Sequence, residues 1–503
     1  MNHLPILIVT IPLVAAPACL LLGHRRIVYV FALIVSWITF ASSLMLLGNV
    51  LKTGKINYHI GNWAPPYGIE FVADTLSAFV AMFVSGMGAL VLAYAPRLLD
   101  EEIPASRQHY FCSLYLTCLT GLLGITLTGD LFNVFVFLEI SSLSTYALIS
   151  LGRDRRAVLA SLQYLFIGTI GATFFLIGVG LLYQVTGALN MNDIARRLVE
   201  SEGINGQGTI VLPATRTLRV ALAFMTVGLA VKMAVFPVHK WLPNAYSYAP
   251  NIVTCFLAAT ASKVAVYALI RLIFGVFTIE FSFDLLPMRY ELIVLSMIGI
   301  FVASLTAIFQ NNVKKILAYS SVAQLGYMVL GVNLINAMGL SSAIVHMFNH
   351  AVIKAALFMV VGCLALRLGS VQLEDWRGAA KKMPWTCFAW ALAGFGLIGV
   401  PLTAGFVSKW TLLLALAGEE KWFFAAALVV SSILAVIYVW RVVEVLYFGE
   451  PSEKTQQAKE APISMLIPIY GLIVVMFVFG CWTDYSLGIA QQAASMLLGG
   501  VVK

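Results

Sequence analysis

Charge is scarce in this chain. Asp, Glu, Lys and Arg make up 11% of its 503 residues, against 61% hydrophobic, and the mean hydropathy is +0.93. Soluble domains carry roughly 25% charged residues, so a water-soluble enzyme is excluded and a polytopic membrane protein is implied. Paired cysteines are missing too. The seven cysteines (Cys19, Cys112, Cys118, Cys255, Cys363, Cys387 and Cys481) contain no C-x-x-C, and most fall inside apolar stretches. They read as small buried hydrophobes, with no iron–sulfur or zinc site and no cofactor. No Lys or Arg precedes the first apolar run, and Arg25 and Arg26 follow it, which predicts a retained first transmembrane helix rather than a cleaved signal. The net charge of +8 is explained by cationic cytoplasmic loops, not by nucleic-acid binding.

Apolar runs long enough to cross about 30 Å of hydrocarbon number roughly fourteen, giving an all-α fold. Two of them, near 219–247 and 385–416, are too long for one straight span and contain Pro237 and Pro401. Proline removes a backbone donor and clashes with the preceding turn, so helices 7 and 12 are expected to be broken. Interrupted helices at corresponding places in two halves point to a transporter's ion pathway. Of the 31 Lys and Arg, about 17 lie on the side that carries Arg25, Arg153, Lys314 and Lys381. That side is expected to be cytoplasmic, with both termini opposite, in a bacterial inner membrane. Between 187 and 218 a short amphipathic helix plus loop is expected on the outer face. Only about twenty residues follow the last helix, with no further span.

Against this apolar background a few ionisable groups stand at bilayer depth, where each costs roughly 2.5–3.5 kcal/mol on insertion scales. Glu139 lies near the middle of helix 5. Burial favours its neutral acid and a nearby ammonium favours its carboxylate, so its charge can be switched by moving a partner. Lys232 lies about 18 Å along its helix from Arg219, too deep to reach that interface unaided. Lys263 follows at mid-depth in helix 8. His346, His350 and Lys354 recur at i, i+4 and i+8 in helix 11, on one helical face. That spacing also suits zinc, but the glutamate of H-E-x-x-H is missing, so a proton relay is the better reading. Lys409, eight residues past Pro401, is either the terminal lysine of the series or an interfacial one whose head snorkels outward. Gly394-Phe-Gly396-Leu-Ile-Gly399 matches G-x-G-x-x-G, but no strand precedes it. Its glycines are expected to permit close helix contact beside the break.

Four motifs together carry a resemblance. They are Phe137-Leu-Glu139-Ile-Ser-Ser-Leu; Lys232 with Phe236-Pro-Val-His-Lys-Trp-Leu-Pro243 and Ala249-Pro250; Leu317-Ala-Tyr-Ser-Ser-Val-Ala-Gln-Leu-Gly-Tyr327; and His346 through His350 to Lys354-Ala-Ala-Leu-Phe358. From about Glu70 to Tyr447 the chain resembles the antiporter-like subunits shared by Mrp-type cation/proton antiporters, respiratory complex I and membrane-bound hydrogenases. The resemblance implies fourteen helices with two inverted five-helix repeats. The expected segments are helices 1–3 over 1–108, one repeat over 109–273, a second over 291–448, and a last helix with a short tail over 461–503. It also implies that Glu139 and Lys232 form a switching ion pair, that Lys263 connects it onward, that His346 and His350 form the helix 11 relay, and that Lys409 is the terminal lysine.

Within that family the chain looks most like the D subunit of an Mrp-type antiporter. The largest members add a lateral helix after the core; this chain ends sooner. One complex I branch has glutamate where Lys409 stands, and complex I members usually read Trp-Leu-Pro-Asp-Ala-His where this chain has Trp241-Leu-Pro-Asn244-Ala-Tyr246. The implied function is proton translocation in a multisubunit Na⁺/H⁺ antiporter. Its expected partners are other membrane subunits, H⁺, a monovalent cation (Na⁺ foremost) and lipids. The competing expectation is a proton-pumping subunit of a redox complex.

Overall fold

The computed structural model describes residues 3–200, 203–204, 210–211, 215–277, 279–284 and 288–499. Helices dominate. In chain order the principal ones are α1 Leu4–Leu21, α2 Arg25–Thr53, α3 Thr75–Tyr94, α4 Gln108–Leu127, α5 Leu131–Ser150, α6 Arg155–Thr186, α7 Thr215–Met233 and α8 Trp241–Tyr248. They continue as α9 Asn251–Ala259, α10 Ala261–Ile270, α11 Met288–Ile308, α12 Val313–Val332, α13 Ala337–Leu368, α14 Pro384–Ile398, α15 Ala404–Gly418, α16 Trp422–Phe448, α17 Ile463–Cys481 and α18 Thr483–Leu497.

Among the described residues twelve helices are long and apolar enough to cross a membrane, with α9 and α10 counted as one continuous run. The fourteen expected from hydropathy are reached only by adding the two broken helices, α7–α8 and α14–α15, none of whose pieces qualifies alone.

Helix starts follow the side chains that cap them. Asp74 accepts from the Ser77 amide at 2.9 Å while the Ser77 hydroxyl accepts from the Asp74 amide, closing a capping box. Asp130, Asn312 and Asn336 each accept from the amide three residues on and so cap α5, α12 and α13. Helix α3 begins only at Thr75. Glu70–Ala73 forms strand β2, paired antiparallel with β1 Ile56–His59. The amphipathic helix expected after 187 is present as Met191–Glu200, and much of the Gly-rich stretch that follows lies outside the described residues.

Contacts between connections sort the turns onto two faces. On one face Arg25 meets Asp100, Asn251 bonds Glu102, Lys314 reaches the Ala249 carbonyl and Asn312 bridges Gln372. On the other, Phe71 bridges Thr128, Asn190 bonds Glu70, and Asn336 bonds Glu419. Packing order also recurs. α4 packs on α5, α5 on α6 and α6 on α7; likewise α11 packs on α12, α12 on α13, and α13 on α14 and α15. The α9–α10 run, α12, α13 and α3 are the most enclosed, with 94%, 89%, 83% and 83% of their apolar windows buried, against 33–39% for α1, α2, α6, α16 and α17. Titratable side chains carried at mid-helix on that central group are thereby kept from lipid.

Candidate functional site

Helix 7 stops before its proline. Its last regular residue is Met233; Ala234 takes a left-handed conformation at φ 60°, and Pro237 sits inside the following turn. The residue before a proline is driven out of the α region, and the ring clashes with the carbonyl four residues back, so the break opens ahead of Pro237 itself. Trp241, opening α8, donates its indole N–H to the Val231 carbonyl at 2.9 Å and stacks on Tyr164 at 3.7 Å. That bond takes up a carbonyl at the broken end and fixes the height of Lys232.

The Lys232 ammonium then points at α5. It donates to the Ser142 hydroxyl at 2.6 Å and stands 3.4 Å from the Glu139 carboxylate. The two expected partners do meet, although Ser142, inside the same motif, makes the shorter contact. Lys232 is buried, whereas the Glu139 side chain is 22% exposed. Leu143 and Phe132, one and two turns away on the same face of α5, are also exposed, so the carboxylate lies toward the outside of the bundle. A cavity of about 20 Å³, room for one water, lies between Lys232, Ser142, Thr145 and Tyr164 on one side and Ala261 and Val264 of α10 on the other.

Helix 8 contains a break that the sequence did not announce. At Thr260 (φ −121°, ψ −62°) the run divides into α9 and α10, with neither proline nor glycine present. The carbonyl of Ala258 is released there, and the fully buried Lys263 folds back to donate its ammonium to it. Helix 12 repeats the device. α14 ends at Ile398, Gly399 turns left-handed at φ +89°, and Pro401 lies in the turn beyond. Lys409, one turn into α15, donates to the carbonyls of Leu397 at 3.1 Å and Ile398 at 2.8 Å. It is buried, with its ammonium turned inward to 5.1 Å from the Tyr327 ring centroid. Gly396 and Gly405 supply the close contact expected of these glycines, since a Cβ on Gly405 would overlap the Gly396 carbonyl.

Between Lys263 and Lys409 lies the histidine face of α13. His346 contacts the Ser408 hydroxyl at 2.7 Å and the Gln324 amide oxygen at 2.9 Å, joining α12, α13 and α15. His350 stacks on it, ring centroids 5.9 Å apart and nearly parallel. Neither nitrogen of His350 has a hydrogen-bond partner among the described residues, and Lys263, Lys354 and Lys409 all lie within its electrostatic range. Lys354 completes the face one turn on, donating to the Leu317 carbonyl at 2.8 Å and the Ser320 hydroxyl at 2.5 Å on α12.

Lys263, His346, His350, Lys354 and Lys409 fall in one buried polar cluster, Glu139 and Lys232 form a pair of their own beside the small cavity lined by Ala261 and Val264, and Pro237 and Pro401 lie inside the two breaks. Ser142, Ser320 and Gln324, inside the motifs, and Ser408, next to Lys409 in sequence, hold them, roles that residue type and spacing leave open. One assignment changes. Lys314, counted with the loop charges, is only 2% exposed.

This architecture has known counterparts. Residues 128–435 match the family model described as NADH:quinone oxidoreductase/Mrp antiporter, transmembrane. The chain is 40% identical to the N subunit of NADH-quinone oxidoreductase from Desulforudis audaxviator, over 98% of both chains. It is 30% identical to the D subunit of the Na⁺/H⁺ antiporter from Alkalihalophilus pseudofirmus, over 98% of this chain and 97% of that one. Among solved structures it is similar to a chain of the Mrp complex from Dietzia sp. DQ12-45-1b, with a TM-score of 0.88, 26% identity, and 99% and 98% coverage. It is likewise similar to a chain of an archaeal membrane-bound sulfane sulfur reductase, with a TM-score of 0.87, 28% identity, and 99% and 100% coverage. The chain belongs to the NADH:quinone oxidoreductase/Mrp antiporter transmembrane family.

Proposed function

We propose that this chain is the proton-translocating subunit of a multisubunit membrane complex that exchanges H⁺ for a monovalent cation, Na⁺ foremost. The observation that carries the reading is the Lys232 ammonium held between Glu139 and Ser142, with Lys263, His350, His346 and Lys409 clustered farther into the bundle as the route onward. When Glu139 and Lys232 are close, each stabilises the other's charged form. At an effective dielectric near 20, unit charges 4 Å apart interact by about 4 kcal/mol, equivalent to roughly three pKa units. Separating the pair removes that stabilisation, and Lys232 passes its proton toward Lys263. The charge shift then travels through the stacked histidines to Lys409.

Glu139's outward exposure supports a partner subunit, because a carboxylate at bilayer depth needs polar cover that lipid does not provide. The recurring packing order, entered from opposite faces, supports reading 109–273 and 291–448 as inverted repeats. The face carrying Arg25, Lys314 and Lys381 is the cytoplasmic one on charge grounds, which places both termini on the other side of a bacterial inner membrane.

A second reading attaches the same axis to a redox arm. The 40% identity to a protein named as the N subunit of an NADH-quinone oxidoreductase favours it. Both readings share one test. The native complex is purified, its partners are identified by mass, and proton movement is measured in proteoliposomes driven either by a Na⁺ gradient or by electron transfer. Glu139→Gln and Lys232→Ala are expected to silence whichever activity is present while leaving the complex assembled. Transport at the wild-type rate in either variant would sink the mechanism.

A further inference from the structure

Lys314 opens α12 beside Lys315, in a position that reads as an ordinary interfacial cation. The fold buries it instead. Its ammonium donates to the Ala249 carbonyl, just past α8, at 2.7 Å, its sole hydrogen bond among the described residues. An ammonium carries three donors, so two are left over. Within its electrostatic range stands Glu102, at the end of the short helix Pro96–Glu102. One oxygen of Glu102 accepts from the Asn251 side chain, and the amides of Asn251 and Ile252 at the start of α9 also turn toward the carboxylate. The other oxygen, Oε2, is sealed from solvent without a partner, and so is Oδ1 of Asn251. No direct ion pair joins Glu102 to Lys314.

A carboxyl with a sealed free oxygen and an ammonium with spare donors, close but unpaired, make a weak clasp. A structural ion pair would close. An arrangement that holds acid and base just apart suits groups that gain and lose a proton.

Position favours the same conclusion. Leu317, one turn after Lys314 on α12, supplies the carbonyl that holds Lys354, and three to six residues along a helix span roughly 4.5–9 Å. Lys354 shares its face with His350 and His346. The cluster thus sits where the 95–107, 249–250 and 309–312 connections converge, one step from the buried axis. Asn244 of α8, by contrast, bonds Gln163 at the surface. Burial pushes the Glu102 carboxyl above the usual carboxylate range, with Lys314 and the Asn251 and Ile252 hydrogen bonds offsetting part of that rise. The other titratable groups in range are Asp154, facing Lys314, and Tyr94, facing Glu102; Arg156 and Lys315 flank the Tyr248 ring nearby.

We propose that Glu102, Asn251 and Lys314 form a proton-loading site that connects this face of the protein to the histidine axis through Lys354. The proposal rests on the proton-transfer reading above and adds a route to it. Protons enter at Glu102, pass to Lys314 and continue by Lys354 to His350.

The test uses the full complex in proteoliposomes, with proton movement followed by a pH-sensitive dye across a range of external pH. Glu102→Gln is expected to lower the rate roughly a hundredfold, the lower end of the range for losing a positioned proton-transfer group. Glu102→Asp, which keeps the acid, is expected to restore much of the rate with a displaced pH profile. A purely structural role would change complex yield and leave that profile where it was. Glu139→Gln serves as the control. If it is silent while Glu102→Gln and Lys314→Met transport normally with an unchanged profile, the loading site is wrong and the axis stands. If Glu139→Gln itself transports, the axis fails. Where Glu102→Gln does not assemble, Glu102→Asp decides alone, and an unmoved profile at normal yield overturns the proposal.

Discussion

Nζ of Lys409 lies 2.8 Å from the carbonyl oxygen of Ile398, eleven residues earlier in the chain. The same relation joins Lys263 to Ala258. In both cases a helix break releases carbonyls in the interior, and a lysine that could not otherwise be buried takes them as acceptors. An unpaired polar group in this setting costs several kcal/mol, so each break and its lysine stabilise one another. A protonated lysine fills the carbonyls and a neutral one leaves them less well satisfied, which ties local helix geometry to protonation.

If proton release matters and not fixed charge, arginine cannot replace these lysines, because a guanidinium stays protonated. Lys409→Arg should assemble and keep its positive charge, yet lower transport roughly tenfold or more. Transport near the wild-type rate in reconstituted Lys409→Arg complex would show that charge alone suffices.

Gly399 combines a left-handed backbone with a neighbour in the way. A side chain at φ +89° costs about 1–2 kcal/mol. A Cβ there would also stand 3.0 Å from Cδ of Lys409, displacing the ammonium from Leu397 and Ile398. Gly399→Ala should therefore lower the melting temperature of the purified complex and slow transport together. Loss of stability with a normal transport rate would separate the two effects.

Asp74 and Arg271 form a buried ion pair that pins the start of α3 to the end of helix 8, with Arg271 also donating to the Tyr267 hydroxyl at 2.9 Å. Removing one partner leaves a buried charge, so Asp74→Ala should destabilise by about 3–5 kcal/mol. The double variant Asp74→Leu/Arg271→Met should be less costly than either single change. Chemical denaturation of the four proteins measures the coupling directly.

Asp375 ties the 369–383 connection to Lys454 at 3.0 Å. The Ser370 hydroxyl and Lys454 hold its carboxyl below the usual aspartate range. A lowered folded value means that the clasp contributes its stability above the ordinary carboxylate range and loses it as pH falls through the folded value. Both side chains are substantially exposed, so the effect is small, about 0.2–1 kcal/mol. Asp375→Asn should match the wild type in acid and melt slightly lower at neutral pH; equal melting at both pH values would refute the clasp.

Hydropathy and proline placement decided the spans, the two broken helices and which ionisable groups stand inside long apolar runs. Those are local properties: about twenty residues suffice to specify a crossing, and a proline acts on its own turn. The i, i+4, i+8 spacing likewise placed His346, His350 and Lys354 on one face before any fold was known. The break at Thr260 left no such mark, because packing of the surrounding helices bends that run without a proline or glycine. Tertiary structure alone decided the partners. Ser142 is ninety residues from Lys232, and Ser408 is sixty-two from His346. It also turned Lys314 from a surface cation into a buried one. Whether a lysine at a helix start meets water or a buried carbonyl depends on what other segments bring to it, and one-dimensional spacing carries no record of that.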